Sequence, residues 1–186
     1  MRISAGRMGV AACAIAAGVV LAGEAGALPP MAPTARALVS SAVSVARSEK
    51  KVVLVEFGAS WCGTCRTFDA FLHAPEVEEI MAANYVVVKL TVQEDDDKKP
   101  LENPGAEGMM NAWGGSDSGL PFYVFLNAEG EKIADSNAMP KGRNIGFPAT
   151  GQEVEAFVSL LERTAPRLNA AERTRIVDYL AKLIRK

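Results

Sequence analysis

The chain has 186 residues, 20 Lys and Arg against 22 Asp and Glu, a formal net charge of −2, and 49% hydrophobic residues. That balance excludes a disordered or low-complexity chain and gives no general electrostatic drive towards nucleic acid or acidic lipid. The length suits one domain with a full core, and three cysteines are too few for a disulfide scaffold, so their spacing matters more than their number.

Arg2 and Arg7 are the only charges before Glu24, Met8 to Ala22 is apolar or small, and Ala25-Gly26-Ala27 offers small residues at a cleavage site. This is the pattern of a secretory signal peptide over residues 1–27. The apolar run of about 15 residues is short for a membrane-spanning helix, which needs about 20; retention as an uncleaved anchor is the alternative. Cleavage after Ala27 leaves Cys62 and Cys65 as the only cysteines. The expected location is periplasmic or secreted. Residues 28–33 then read as a proline-rich linker, 34–166 as one domain and 167–186 as a C-terminal helical extension.

Thr34 is a candidate N-cap, and Leu38, Val39, Ala42, Val43 and Ala46 follow a helical rhythm. Val52-Val53-Leu54-Val55 is a continuous apolar run, as expected of a strand covered on both faces, and it ends at Phe57-Gly58. A helix is predicted from Trp61 or Cys62 to about Leu72, with Phe68, Phe71 and Leu72 inward. A short one follows from Pro75 through Met81. Tyr85–Val92 is a second apolar strand, and strand, helix, strand at this spacing predicts a parallel βαβ unit. Gln93–Gly119, rich in Gly, Asp, Asn and Pro, reads as a long loop with one short helix around Ala106–Trp113.

Pro121 precedes a third strand, Phe122–Leu126. Asn127–Gly130 is a turn, and Lys132–Ala134 an antiparallel return strand. Thr150 with Glu153, and Asn169 with Glu172, are capping boxes. The first opens a helix with Val154, Phe157, Val158 and Leu161 on one face, stopping before Pro166. The second opens a terminal helix with Ile176, Val177, Leu180, Leu183 and Ile184 on one side.

The chemistry sits at Trp61-Cys62-Gly63-Thr64-Cys65. Two cysteines at this spacing close a small disulfide ring or grip a metal. A structural zinc site needs four ligands, and His73 is the only histidine, so no metal and no cofactor are expected. Dithiol–disulfide chemistry is the remaining use. A motif that follows a buried strand and opens a helix meets unpaired N–H groups and the positive end of the helix dipole, which favour a thiolate at Cys62. Cys62 is expected at an exposed tip, where it attacks or is attacked by a substrate disulfide. Cys65, one turn in and deeper, then breaks the mixed disulfide. The alternative, a static disulfide, closes a ring too small to stabilise the fold much.

At VLVEFGASWCGTC, Lys89-Leu90 and Gly119-Leu120-Pro121 the chain resembles the thioredoxin family, over about residues 35–165. The spacing and the Phe68–Phe71 region look most like the exported branch that includes the soluble electron-passing domains of bacterial periplasmic reductases. The departures are Gly-Thr rather than Gly-Pro between the cysteines, an enlarged loop at 93–119 and the added terminal helix. The resemblance implies an α/β fold, a three-layer sandwich on a central mixed sheet. It implies a cis Leu120–Pro121 bond that frees the Leu120 backbone to pair with an extended substrate. It also places Glu56 in the position of a buried acid behind Cys65, with a raised pKa and the ability to accept the Cys65 proton. Lys89 falls where the family often has a lysine; the alternative is a partly buried Glu56–Lys89 ion pair without a catalytic role.

Trp61 is expected to shield the disulfide and touch substrate, with core packing as the alternative. Arg66 reads as solvated, His73 as a residue at a helix C-terminus, and Glu94-Asp95-Asp96-Asp97 as a solvated loop. Met109, Met110 and Trp113 read as core, and the terminal helix as a cover for the domain's surface.

The expected function is thiol–disulfide exchange with exported proteins. Cys62, Cys65 and Glu56 are the catalytic residues, and Trp61, Leu120 and Pro121 the substrate contacts. Gly-Thr supplies no cation beside Cys62, which favours a reductant or electron carrier resupplied by a membrane protein. Protein thiols and disulfides are the expected partners, and the chain is expected to be a monomer that binds no nucleic acid. The alternatives are a peptide- or protein-binding module, or a copper-delivery protein, of the same fold with incidental redox activity.

Overall fold

The structure is a computed structural model that describes residues 32–165 and 167–184. The signal peptide expected at 1–27 and most of the linker lie outside the described residues.

Thr34 caps α1 (Ala35–Glu49) by accepting the Ala37 N–H at 3.2 Å, and Lys50 ends it in the left-handed conformation. β1 (Val52–Gly58) follows, its first six residues buried. Next come α2 (Gly63–Leu72), α3 (Glu78–Asn84), β2 (Tyr85–Thr91), α4 (Ala106–Ala112), β3 (Phe122–Leu126), β4 (Lys132–Asp135), α5 (Gly151–Thr164) and α6 (Ala170–Ile184). The sheet order is β2-β1-β3-β4. β1 pairs parallel to β2 and antiparallel to β3, and β3 antiparallel to β4. The parallel unit expected from the sequence is therefore present, and β1 and β3 hold the centre, buried along nearly their whole length.

Each face of the sheet has its own core. α1 and α4 cover one face, where Val53, Val55 and Phe57 meet Val39, Ala46 and Met110. On the other face Leu54, Tyr123 and Phe125 pack with Phe68, Phe71 and Phe157 of α2 and α5. The Phe68 ring stacks on Tyr123 at 5.0 Å between centroids. Each such ring, fully withdrawn from water, contributes about 1.5–3 kcal/mol before entropy is counted. Both capping boxes form: Glu153 accepts from the Thr150 N–H, and Glu172 from the Asn169 N–H, with the reciprocal bonds in place.

Four expectations need correction. The helix after α2 starts at Glu78 and runs to Asn84. Pro75 lies in the preceding turn, where Ala74's carbonyl accepts the Val77 and Glu78 N–H groups. β2 is an edge strand, and one of its faces is only partly covered, which leaves Val87 and Lys89 exposed. The 93–119 segment holds a short 3₁₀ helix, Asp96–Leu101, as well as α4. In α6 only Ile176 and Leu180 of the apolar stripe are buried. They dock on the α5 side of the core, and Tyr179 reaches Phe71 at 6.0 Å.

Gly115 closes the core beneath α1 and α4. A Cβ there would stand 2.7 Å from both Met110 Cγ and Phe122 Cδ1. Neither neighbour can retreat from a filled core. Gly115→Ala is expected to destabilise the protein by about 1–3 kcal/mol in urea titration, as overpacked cores do; a loss below about 0.5 kcal/mol would show that the site has slack.

Candidate active site

β1 ends at Gly58, and the chain turns through Ala59, Ser60 and Trp61 to Cys62, which is the N-cap of α2. The turn is closed by Cys62 N–H donating to Ala59 C=O at 3.1 Å. Cys62 and Cys65 are joined in a disulfide. The Cys65 N–H donates to Cys62 Sγ at 3.1 Å, so a free N–H of the first helical turn points at the leading sulfur. Cys62 is not at an exposed tip. It is 3% exposed and Cys65 6%, so neither sulfur is the deeper by exposure. The side chain that projects is Trp61, at 49%, tethered by its indole N–H to the Gln93 carbonyl at 2.7 Å.

Behind Cys65 lies Glu56, on the central strand and 1% exposed, with neither carboxyl oxygen hydrogen-bonded among the described residues. Burial pushes its pKa up from 4.5 to about 7, opposed in part by the Lys89 charge. Lys89 is Glu56's register partner on β2, but its ammonium reaches Asp69 Oδ1 on α2 at 2.8 Å. The Glu56–Lys89 ion pair weighed from the sequence does not form. Gly58 keeps the space between acid and sulfur open: a methyl group there would meet Cys65 Sγ at 3.3 Å and Glu56 Oε1 at 3.8 Å. That space belongs to a cavity of about 430 Å³ lined by Glu56, Cys65, Asp69, Lys89 and Glu94 among others. A carboxyl poised near neutrality, without a partner and facing a sulfur across open space, can take or return a proton there.

On the other side stands the Leu120–Pro121 bond, which is cis. Leu120's backbone is only half free. Its carbonyl accepts the Thr64 hydroxyl at 3.0 Å, whereas its N–H takes part in no hydrogen bond among the described residues. Thr64 Oγ1 also lies 3.4 Å from Cys62 Sγ. Asn144 Nδ2 donates to the carbonyls of Gly119 and Pro121 at 2.6 and 3.0 Å and fixes this segment from the β4–α5 connection. His73 caps the far end of α2 and is exposed.

Residues 34–128, just over half the chain, match the family described as thioredoxin-like. This chain belongs to the thioredoxin-like family. It is 29% identical over 110 residues to the thiol:disulfide interchange protein DsbD of Vibrio cholerae serotype O1, covering 59% of this chain but only 16% of that protein. Among solved structures it is similar to a disulphide isomerase from Xylella fastidiosa Temecula1, with 21% identity, a TM-score of 0.48, and coverage of 80% of this chain and 90% of that one. It is also similar to the oxidised DsbD C-terminal domain of Neisseria meningitidis, with 20% identity, a TM-score of 0.41, and coverage of 57% and 84%.

The thioredoxin-like fold and resemblance expected from the motif thus stand. Three residues that sequence reasoning set aside belong to the site's framework. Thr64 bridges the motif to Leu120. Arg66 is not simply solvated: its guanidinium donates to the Ser60 carbonyl at 2.9 Å. Glu94 turns inward from the acidic run and is 4% exposed. Only Thr64 carried a signal, as a departure from the family's Gly-Pro.

The sign of Glu56's effect on stability follows from its raised pKa. An unfolded glutamate releases its proton near 4.5, folded Glu56 near 7, so the folded state alone holds the proton between these values. Glu56's contribution to stability is fully present below about pH 4.5, falls as pH rises to about 7, and changes no further above that. Glu56→Gln, which cannot ionise, is expected to gain up to about 3 kcal/mol over the parent at pH 8 and little at pH 4.5. Urea titrations of the oxidised proteins at both pH values test this; an equal gain at both would contradict it.

Proposed function

We propose that this chain exchanges disulfides with exported proteins through Cys62 and Cys65, without a bound cofactor, as a reductant or electron carrier. The observation that carries the reading is the disulfide at the α2 N-terminus with the unpartnered, buried Glu56 behind Cys65. The relative named as a thiol:disulfide interchange protein supports it.

In the reducing direction the Cys62 thiolate attacks a substrate disulfide. One substrate sulfur joins Cys62 and the other leaves as a thiolate. Cys65 then gives its proton to Glu56 and attacks Cys62 Sγ, closing the internal disulfide and expelling the second substrate thiolate. Two electrons pass from the pair to the substrate. Trp61 and the Leu120–Pro121 segment contact the substrate, whose extended chain pairs with the unpaired Leu120 N–H.

One feature supports the reducing direction. The Gly63-Thr64 dipeptide brings no cation to Cys62, and strong oxidants are those whose reduced form is stabilised. The signal-peptide pattern of residues 1–27 supports an exported location, in which a membrane protein would resupply electrons to a monomeric carrier.

Cys62→Ser is expected to abolish reduction of an insulin-type disulfide. Cys65→Ser should accumulate a mixed disulfide at Cys62, and Glu56→Gln should slow the second step by up to about 100-fold, the scale of one lost proton acceptor. Cys62→Ser that keeps its protein partners, with no disulfide reduction by the parent to lose, would point instead to a binding module. The intact mass of the exported protein is expected to lack residues 1–27.

A further inference from the structure

We propose that Glu94 is a positioning residue for the redox pair: the loop after β2 carries it back onto the turn ahead of Cys62, where its carboxyl holds Ser60. This rests on the exchange reading above and adds a residue that the reaction scheme does not use.

Glu94 opens an acidic run whose other members, Asp95, Asp96 and Asp97, are exposed, yet it is itself buried. One carboxyl oxygen accepts the Ser60 N–H at 2.5 Å and the other the Ser60 hydroxyl at 2.7 Å. Bonds to an acidic acceptor are the shorter and stronger class. The residue before it, Gln93, sits at φ 54°, and that left-handed kink aims its carbonyl at the Trp61 indole N–H. Glu94 is itself held, its N–H donating to Glu102 Oε1 at 2.8 Å, an oxygen that also takes Lys99 Nζ at 2.9 Å.

From the opposite side Arg66 takes the Ser60 carbonyl. The backbone of Ser60 is thus fixed at both its N–H and its C=O, two residues before the reacting sulfur. Glu94 borders the cavity that Glu56 and Cys65 share. Its bonds go to the turn that places Cys62 as the α2 N-cap, and displacing a reacting group by about 1 Å can cost about 100-fold in rate.

The test compares E94A, E94Q and S60A with the parent in the full chain, with near-UV circular dichroism as the check on folding. Glutamine keeps an oxygen for Ser60; alanine does not. E94A is expected to lower kcat for disulfide reduction about tenfold and to change the alkylation rate of Cys62 in the reduced protein, and E94Q to restore kcat to within about threefold. S60A, which keeps the N–H bond, should fall between. Folded E94A with parental kcat and alkylation rate overturns the proposal, as does E94Q as defective as E94A. If E94A does not fold, S60A and E94Q decide: E94Q well below a parental S60A overturns it, and E94Q near the parent with a weakened S60A supports it. Failure of the exchange reading is separate, since then Cys62→Ser would match the parent in the same assay.

Discussion

The site depends on a carboxyl placed where the fold least tolerates one. Glu56 stands on the central strand, beneath α2, with buried neighbours along the strand. No hydrogen bond from the described residues repays its lost hydration, and Lys89, the nearest cation in register, is held by Asp69. Burial wins over the lysine's attraction, which is why the pKa rises. Such a group persists only because two cores clamp the strand around it, and the same burial brings its protonation equilibrium to the pH at which thiols exchange. Stability and proton-transfer capacity are set by one contact environment and trade against each other.

That clamp explains the distribution of side chains. The α2 face is filled by large rings, Phe68, Phe71, Tyr123 and Phe157, packed beneath the helix that carries Cys65. The other face is built from smaller residues with Phe57 wedged between Trp113 and Phe122. At Gly58, the last residue of β1, bulk is withheld, and what this preserves is the opening between Glu56 and Cys65.

Much of this was legible in the sequence because the signals are local. Thr34, Thr150 and Asn169 announce helix starts through bonds to residues three positions on. Val52–Val55 and Phe122–Leu126 announce central strands through unbroken apolarity. Glu56, next after the first of these runs, was picked out by the resemblance to the thioredoxin family rather than by the pattern itself. What was not legible was settled by residues far apart in the chain. Glu94 has the same composition around it as Asp95–Asp97, and it is held inward by Ser60, 34 positions away, and by Glu102. Lys89 was a plausible partner for Glu56 by register, but Asp69 competes from a helix that passes over the sheet. The burial of Cys62 likewise depends on tertiary placement, which the helix-start pattern does not carry.

The two sides of the motif are held by different chemistry, and this separates its tasks. On the proton side Ser60 and Trp61 are fixed by Glu94, Gln93 and Arg66. On the other side the link is a single neutral bond, Thr64 Oγ1 to the Leu120 carbonyl. A neutral bond of this kind contributes about 0.5–1.5 kcal/mol net, and charge-assisted ones about 1.5–3 kcal/mol. The turn leading to Cys62 is therefore the firmer wall and the Leu120 side the more easily parted one. With both sulfurs nearly covered in the closed disulfide, the more easily parted side is also the one that carries the unpaired Leu120 N–H.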